Sequence, residues 1–379
     1  MKKFVCKYIY IILLSAIVAV SVRAGELRLP DYILQGTVIS VMYKPSKNPL
    51  TDNHTLIAYC YTSSNVKPTA YQSSFSDNGE ATLAIPRDAV YVMFKVMTGK
   101  VADDNGQQFW DMPIMDKDKK IPENAYFRAA ISYLGQLPEN CKRAVSSAKA
   151  EEMLRQELNL YPENILAKAG IAMLAHDNKK ITKLEFEKQI RGLFAAVKDW
   201  SREEIVRSAW RSFNAIGEKK KADSIAKAFV TKHPTSEFAE DYGLDVLQRL
   251  NDQKQVIELG MSYILQFPHS KEMPMLAQGL APVAASLSVL DSLIERYSKE
   301  KYRNPFVVSL FAFIQVDADS TKIPAAIAYL TKEREAFIKS GARHFKPRWL
   351  SEMEWTEKEE SLMAQITATR GFIYERNNQ

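Results

Sequence analysis

The sequence predicts a chain in two unlike parts, a small all-β sandwich followed by an all-α array of helical hairpins. Between Glu26 and about Met115, short segments rich in Val, Ile, Tyr, Phe and Thr alternate with turn clusters. After Pro122 glycine becomes sparse, and Ala, Glu, Lys and Leu dominate with apolar residues at helical spacing. The length of 379 residues also exceeds what one hydrophobic core usually organises. The expected parts are a β domain over 25–120, a linker and first helix over 121–143, and helical repeats over 144–379.

The first 24 residues have the pattern of a secretory signal peptide. A short basic segment, MKKFVCKY, precedes the apolar run IYIILLSAIVAVSV, and Val22 and Ala24 occupy the small-residue positions of a cleavage site. The alternative is a transmembrane anchor, but about 14 apolar residues are short for a span that needs about 20. We predict cleavage after Ala24 and export to the periplasm or the cell surface.

Cleavage changes the charge of the chain. Lys2, Lys3, Lys7 and Arg23 leave with the signal and no acidic residue does, so the formal net charge falls from +6 to +2 (6 − 4 = 2). A nearly neutral chain gives no reason to expect a nucleic-acid partner. Cys6 lies well before the cleavage site, which excludes it as the lipid-modified first residue of a lipoprotein. We expect no stable membrane span after cleavage.

Two cysteines, Cys60 and Cys141, remain after cleavage. Export to an oxidising compartment permits a disulfide between them, although they lie 81 residues apart and in different predicted parts. Two buried, unreactive thiols are the alternative. The sequence contains no Cys-x-x-Cys, which argues against a redox dithiol and against a local zinc knuckle.

The strands of the β domain are predicted from the segments YILQGTVISVMY, TLIAYCYT, TAYQSSF, EATLAIP and AVYVMFKVMTG. Asn78-Gly79 favours a tight hairpin joining Gln72–Phe75 to Ala81–Ile85, because this pair adopts positive φ cheaply. The last segment lacks polar alternation, so both of its faces are expected to be covered. The number of strands indicates an antiparallel sandwich of immunoglobulin-like type, without the Cys-Trp-Cys spacing of an antibody domain.

The spacing of prolines indicates helical hairpins of fixed length. Pro234 and Pro268 are 34 residues apart, and Pro162 lies 72 residues before Pro234. A period of 34 is that of a tetratricopeptide repeat, and the first clear repeat spans about Arg202 to Thr235. The chain resembles this family in its prolines and alanines over about 144–340, and the core positions that follow are Ala209, Trp210, Phe213, Ala222 and Phe229. A hairpin array outside the family predicts nearly the same shape.

The order of the parts is similar to the amino-terminal part of exported bacterial proteins related to the thioredoxin-like TlpA. The shared features are a signal peptide, a sheet domain with AVYVMFKVMTG, a DDNG…W turn, and helical repeats. In that family a thioredoxin-type domain with Cys-x-x-Cys follows the repeats. The last segment here, TATRGFIYERNNQ, is interpreted as a capping helix over Arg370–Tyr374 or as the end of a shortened member. The resemblance carries over no catalytic activity, and it implies an exported thioredoxin-like protein as one partner.

Motifs that carry chemistry are not found in the sequence. The five histidines are scattered, and no His-Glu-x-x-His, Gly-x-Ser-x-Gly, Walker loop or dinucleotide fingerprint occurs. Adjacent glutamates such as Glu203-Glu204 point about 100° apart on a helix, so they do not form an acid–base pair. DDNGQ lacks the closing glutamate of a calcium loop, which favours a solvated turn. We expect no catalytic residue, no metal and no cofactor.

Two surfaces are candidates for binding a protein partner. The segment ARHFKPRWLSEMEW has the residue types of an interface, or it packs on the last helices with Trp349 and Trp355 buried. Stacked hairpins also form a concave groove lined by the first helix of each hairpin. The repeat pattern points six side chains into this groove: Arg207, Arg211, Asn214, Asp241, Asp245 and Gln248.

The predicted function is that of an exported, non-catalytic protein-interaction scaffold, because the groove combines donors and acceptors that suit a peptide of mixed charge. One alternative is an accessory or truncated member of a periplasmic TlpA-related thiol-disulfide oxidoreductase system. The other is binding of a glycan or polymer through the β-sandwich, an analogy of fold that exposed aromatic side chains in a row on the sheet would favour.

Overall fold

Strands come first and helices second, in a computed structural model that describes residues 25–45, 54–135, 137–268, 270, 272–300, 303–340 and 346–377. The order of a β part and then an α part is thereby confirmed. The predicted signal segment, residues 1–24, lies outside the described residues.

The strands of the β part fall between residues 26 and 115. They are β1 (Glu26–Arg28), β2 (Ile33–Leu34), β3 (Val38–Lys44), β4 (Thr55–Thr62), β5 (Thr69–Ser74), β6 (Glu80–Ala84), β7 (Ala89–Thr98), β8 (Val101–Asp103) and β9 (Trp110–Met115).

Two sheets pack face to face in this part. One has the strand order β1-β3-β6, and the other has the order β2-β9-β7-β4-β5 with β8 paired to β7. All pairs are antiparallel except β2 with β9. Side chains of both sheets share one core, to which Val41 and Leu83 contribute from the first sheet and Leu56 and Phe94 from the second.

The strand β7 is buried along its whole length, as its sequence predicted. Side chains alternate across a strand. In the neighbouring β4, Ala58 therefore points between the sheets, whereas Tyr59 points to the opposite face. That opposite face is covered by residues that follow the sheet, among them Ala125, Ala129 and Cys141. Both faces of the larger sheet are thus covered.

The turn at Asn78-Gly79 is present, but it does not form the predicted hairpin. Gly79 has φ +77°, and its N–H donates to the Ser76 carbonyl at 2.8 Å. The strands on either side, β5 and β6, belong to different sheets, so the turn carries the chain from one sheet to the other. Turn chemistry fixes a reversal of the chain, but the strand partners depend on which apolar faces meet.

Helices make up the second part. They are α1 (Ala125–Ser132), α2 (Ser147–Leu160), α3 (Ile165–Asp177), α4 (Lys183–Ala195), α5 (Glu203–Ala215), α6 (Lys219–Lys232), α7 (Glu237–Gln248), α8 (Gln253–Gln266), α9 (Met273–Ser286), α10 (Leu290–Ser298), α11 (Pro305–Ala318), α12 (Ile323–Ser340) and α13 (Glu352–Asn377).

Local sequence explains where these helices begin and end. Pro162, Pro234 and Pro268 each lie two residues beyond the last residue of a helix, namely α2, α6 and α8. This position suits proline, which cannot continue a helix. Gly217 follows α5 with φ +83°, as expected of a glycine that ends a helix. Side chains cap several helix starts, and the capping residues are Ser146, Asn164, Thr182, Ser236, Asp252 and Asn304.

Four of the predicted core positions in the first repeat are buried: Ala209, Phe213, Ala222 and Phe229. Trp210 is only partly buried, and it contacts Phe238 and Tyr242 of α7 edge to face. These contacts connect α5 to α7, so the apolar core continues from one hairpin to the next. The C-terminal interpretation needs correction, because Arg370–Tyr374 is the end of one 26-residue helix that begins at Glu352.

The beginning of α13 returns to the β part. The Lys95 ammonium lies 2.7 Å from Glu354 Oε1, and both side chains are more than nine-tenths buried. The Tyr59 hydroxyl donates to the same oxygen at 2.6 Å, and the Ser351 N–H donates to the other at 2.8 Å. Asn140 Nδ2 donates to the Trp349 carbonyl at 2.7 Å. The end of the helical array is therefore fixed to the centre of the larger sheet.

Breaking this pair is expected to destabilise the protein. In the variant Glu354→Gln, Lys95 stays buried without a counter-charge, which costs about 3 kcal/mol in the free energy of unfolding measured with urea. A matched control lies one turn along the same helix. Glu357 pairs with Lys100 at 3.6 Å on the exposed surface, so Glu357→Gln should change stability by less than about 0.5 kcal/mol. Equal effects of the two variants would contradict the assignment.

The same carboxylate should make stability depend on pH. Burial raises the pKa of Glu354, but the Lys95 charge and hydrogen bonds from Lys95, Tyr59 and Ser351 outweigh burial and hold that pKa below 4.5. A carboxyl whose pKa is lower in the folded state stabilises the protein fully above its unfolded pKa. This contribution is lost as the pH falls through the folded pKa. Urea unfolding between pH 7 and pH 3 should show a smaller loss in Glu354→Gln than in the unchanged protein, and parallel curves would contradict this.

Candidate functional site

Two of the six predicted groove residues, Arg207 and Asp241, lie together. Arg207 is buried, donates to Glu203 at 2.9 Å, and forms a second ion pair with Asp241 of α7. Its guanidinium also lies 5.4 Å from the centre of the Phe238 ring. The two residues are one 34-residue period apart, so their pairing links equivalent positions of neighbouring hairpins. Arg207 and Asp241 therefore join the hairpins to each other.

The other four groove residues do not form one surface with this pair. Arg211 is partly buried, and burial, followed by the Arg207 charge, lowers its pKa to about 10. Asp245 pairs at 2.7 Å with Arg249, which also binds both carboxylate oxygens of Asp223. Asn214 is half-buried and Gln248 is exposed. The register predicted from the repeat thus selects some residues that hold helices together and others at the surface.

The loop between β4 and β5 covers the first turn of α7. The Lys67 ammonium lies 3.2 Å from Glu240 Oε2, and Arg348 donates to Glu237 at 2.6 Å. The Lys67 ammonium also lies 4.6 Å from the centre of the Trp349 ring. We call these five residues the Lys67 cluster. It connects the β part, α7 and the segment before α13, three regions that are far apart in the sequence.

The segment ARHFKPRWLSEMEW divides between two environments. Trp355 is buried, as the packing interpretation predicted, and Trp349 is half-buried in the Lys67 cluster. Arg348 adds a strand-like contact, because its carbonyl accepts the Ala70 N–H of β5 at 2.8 Å. Arg343 and Phe345 lie outside the described residues. The described residues of this segment therefore dock helices on the sheet.

A cavity of about 800 Å³ opens beside the Lys67 cluster, between the β part and the start of α5. We call it the junction cavity. Its walls come from four places: the β4–β5 loop, the β6–β7 turn, the residues before α1, and the ends of helices α5 and α6. The lining side chains are mostly polar and include Gln35, Ser63, Ser64, Asn65, Arg87, Asp88, Glu123, Arg202, Glu203, Glu204 and His233.

Buried charged side chains hold these walls in place. Arg128 is fully buried and donates to the carbonyls of Thr62 and Ser63 at 3.1 and 2.7 Å, which fixes the start of the β4–β5 loop. Its burial lowers its pKa to about 10. Glu157 accepts the Asn124 N–H at 2.7 Å and the Asn164 amide at 2.8 Å. The carboxylate of Glu157 thus satisfies N–H groups at the start of α1, where no helical carbonyl is available.

The charged groups of the junction cavity differ in what they bind. Glu204 pairs with Arg202 at 2.8 Å, and Glu203 pairs with Arg207. In contrast, no hydrogen bond or ion pair of the Arg87, Asp88 or Glu123 side chains occurs within the described ranges, and all three are exposed. These three groups at the mouth can contact a bound partner without first breaking an internal pair.

The predicted disulfide between Cys60 and Cys141 is not formed. Both residues are buried free thiols. Cys60 points between the two sheets, whereas Cys141 packs on the opposite face of the larger sheet, so the sheet itself separates them. Burial raises the pKa of Cys60 to about 12 and also raises the pKa of Cys141. The alternative of two unreactive thiols is the one that the structure supports.

Within the described part of the chain, no three His, Cys, Asp or Glu side chains are placed to hold a metal ion. The same residues include no helix with the length and apolar character that crossing a membrane requires. Among the histidines, His233 stacks on Phe229 with ring centres 4.5 Å apart at the end of α6. His54 Nδ1 lies 2.8 Å from the Thr98 hydroxyl. Each of these two rings thus has a local packing or hydrogen-bonding partner.

A search against models of known protein families finds no match for this chain, and a search of curated protein sequences finds none either.

The two cysteines provide a test of this arrangement. Since both thiols are buried and the pKa of Cys60 is about 12, neither should react with an alkylating reagent at pH 8 in the folded protein. Both should react after unfolding in urea without a reductant. Mass spectrometry counts the added groups. A protein that needs a reductant before either cysteine can be alkylated would contain the disulfide and would contradict the structure.

Proposed function

We propose that this protein is an exported, non-catalytic interaction scaffold, and that its partner binds at the junction cavity. The observation that carries this proposal is the cavity itself, whose walls come from both the β part and the helical array. The six-residue groove is a weaker candidate, because Arg207, Asp241 and Asp245 are already engaged with other residues of the chain.

The finer description of the fold belongs to the same proposal. We interpret the β part as an immunoglobulin-like sandwich, which the two packed antiparallel sheets support. We interpret the helices as degenerate tetratricopeptide-like repeats. The 34-residue offset between Arg207 and Asp241 supports this, as do the prolines that follow α6 and α8. A stiff array of this kind serves to present a surface rather than to perform chemistry.

The chemistry of the junction cavity favours an extended peptide segment of another protein. Hydroxyl and amide side chains such as Ser63, Ser64 and Asn65 can exchange hydrogen bonds with a peptide backbone. The exposed charges of Arg87, Asp88 and Glu123 are of both signs and suit a partner of mixed charge. The volume lies in the range of about 300–1,000 Å³ that ligand sites usually have. An exported thioredoxin-like protein is one such partner, as the resemblance to the TlpA-related family implies.

Glycan binding through the sandwich receives less support. Sugar-binding surfaces depend on exposed aromatic rings. The outer face of the smaller sheet presents Val38, Ser40 and Met42 along β3 instead of such a row. No observation favours this second function, so we propose only the scaffold.

The proposal is tested by cross-linking in the cell that makes the protein. A photoreactive amino acid at Ser64, on the wall of the junction cavity, should capture one recurring protein. The same residue at Lys227, exposed on α6 and outside the cavity, should not capture it. Equal capture at both positions, or none at Ser64, would contradict the proposed site.

The captured protein then allows a measurement of affinity. The double variant Asp88→Lys and Glu123→Lys should weaken binding about tenfold, which corresponds to about 1.4 kcal/mol. The melting temperature should stay unchanged, because both residues are exposed. Glu258→Lys on the outer surface of α8 is the matched control and should leave the affinity unchanged. Unchanged binding by the double variant would exclude the mouth of the cavity as the contact surface.

A further inference from the structure

The first described residue of the chain is tied to a buried carboxylate. The backbone nitrogen of Gly25 donates to Asp103 Oδ2 at 2.6 Å. Gly25 directly precedes β1 of the smaller sheet, and Asp103 ends β8 of the larger one. The contact therefore joins the two sheets at the point where the predicted signal peptide ends.

Asp103 is buried without a cation. Only 3% of its surface is exposed, and its carboxylate accepts hydrogen bonds from Gly25, from the Tyr43 hydroxyl at 2.6 Å and from the Asn105 N–H at 3.2 Å. All three donors are neutral. No Lys, Arg or His within the described ranges forms an ion pair with Asp103. A buried carboxylate is costly unless it is paired, so this position favours a positive charge.

The space at this position fits a glycine. A Cβ atom on Gly25 would lie 2.6 Å from Cε2 and from the hydroxyl oxygen of Tyr43, a distance that requires the ring to move. Tyr43 itself is buried in the core between the sheets, and its ring contacts Phe75 and Trp110. Residue 25 is therefore held close to the core by its small size as well as by its hydrogen bond.

We propose that Asp103 is a binding site for the new amino terminus of the mature protein. Hydrolysis of the Ala24–Gly25 bond consumes one water. The Ala24 carbonyl gains the hydroxyl and leaves with the signal, and the Gly25 nitrogen gains the hydrogen and then a proton from solvent. The resulting α-ammonium of Gly25 occupies the place of the present N–H and forms an ion pair with Asp103. This inference rests on the proposed export and on cleavage after Ala24.

Such a pair makes processing a late step of stabilisation. Before cleavage the Gly25 nitrogen is a neutral donor, and after cleavage it carries a charge and up to three donors. Charge-assisted hydrogen bonds of this kind are about twice as strong as neutral ones. The pair strengthens only the processed chain, so β1 is fixed most firmly to the sandwich after the signal has left.

The test uses full-length mature protein released from a cleavable fusion, so that Gly25 is the first residue. A second form keeps Ala24 before Gly25. Both forms are also made with Asp103→Asn. Retaining Ala24 should lower the melting temperature by about 2 °C in the Asp103 protein, and it should have no effect in the Asp103→Asn protein. An equal loss in both backgrounds would reflect the added bulk and would overturn the proposal.

Reactivity of the amino terminus gives a second measurement that does not depend on the stability of a variant. An ammonium held by Asp103 should react with an acylating reagent about tenfold more slowly than the same group in Asp103→Asn, the effect of a rise of one pKa unit. Equal rates would overturn the proposal. The intact mass of the exported protein tests the cleavage separately, since a cut elsewhere removes the export premise but leaves the result with the released protein intact.

Discussion

The buried ion pair between Lys95 and Glu354 is the contact on which the arrangement of the two parts depends. Lys95 lies at the centre of β7, and Glu354 lies in the first turn of α13, 259 residues later in the chain. A buried ammonium is costly when it is unpaired, so Lys95 requires Glu354 beside it. Tyr59 and Asn140 complete the network. Because the helical array starts on the sheet at α1 and returns to it at α13, the array is held at both ends.

Closure of this kind explains the junction cavity and the fate of the predicted groove. The β4–β5 loop lies against α7 through the Lys67 cluster, and the inward charges of α5 and α7 are used for internal pairs. The space that remains is bounded by both parts of the chain. The proposed function follows from that geometry, since a partner in the cavity contacts residues of the sandwich and of the repeats at once.

Local features were predictable from the sequence. Helix ends at Pro162, Pro234 and Pro268, and the burial of β7, follow from rules that act within a few residues. The contacts between parts were not predictable in this way. Lys95 lies in an apolar strand and Glu354 in a charged helix, and nothing in their local sequence indicates a partner. The disulfide failed for a related reason, because the side of a sheet that Cys60 faces depends on how the sheets pack.

The central claim is that the two parts form one rigid unit around the junction cavity. Spin labels on cysteines introduced at Ser64 and Lys232, two exposed positions on the β part and on α6, measure the distance between the parts directly. The native cysteines are buried and leave the labelling specific. We expect one narrow distance distribution, which broadens in Glu354→Gln. A broad distribution in the unchanged protein would show two parts that move independently, and it would contradict the account.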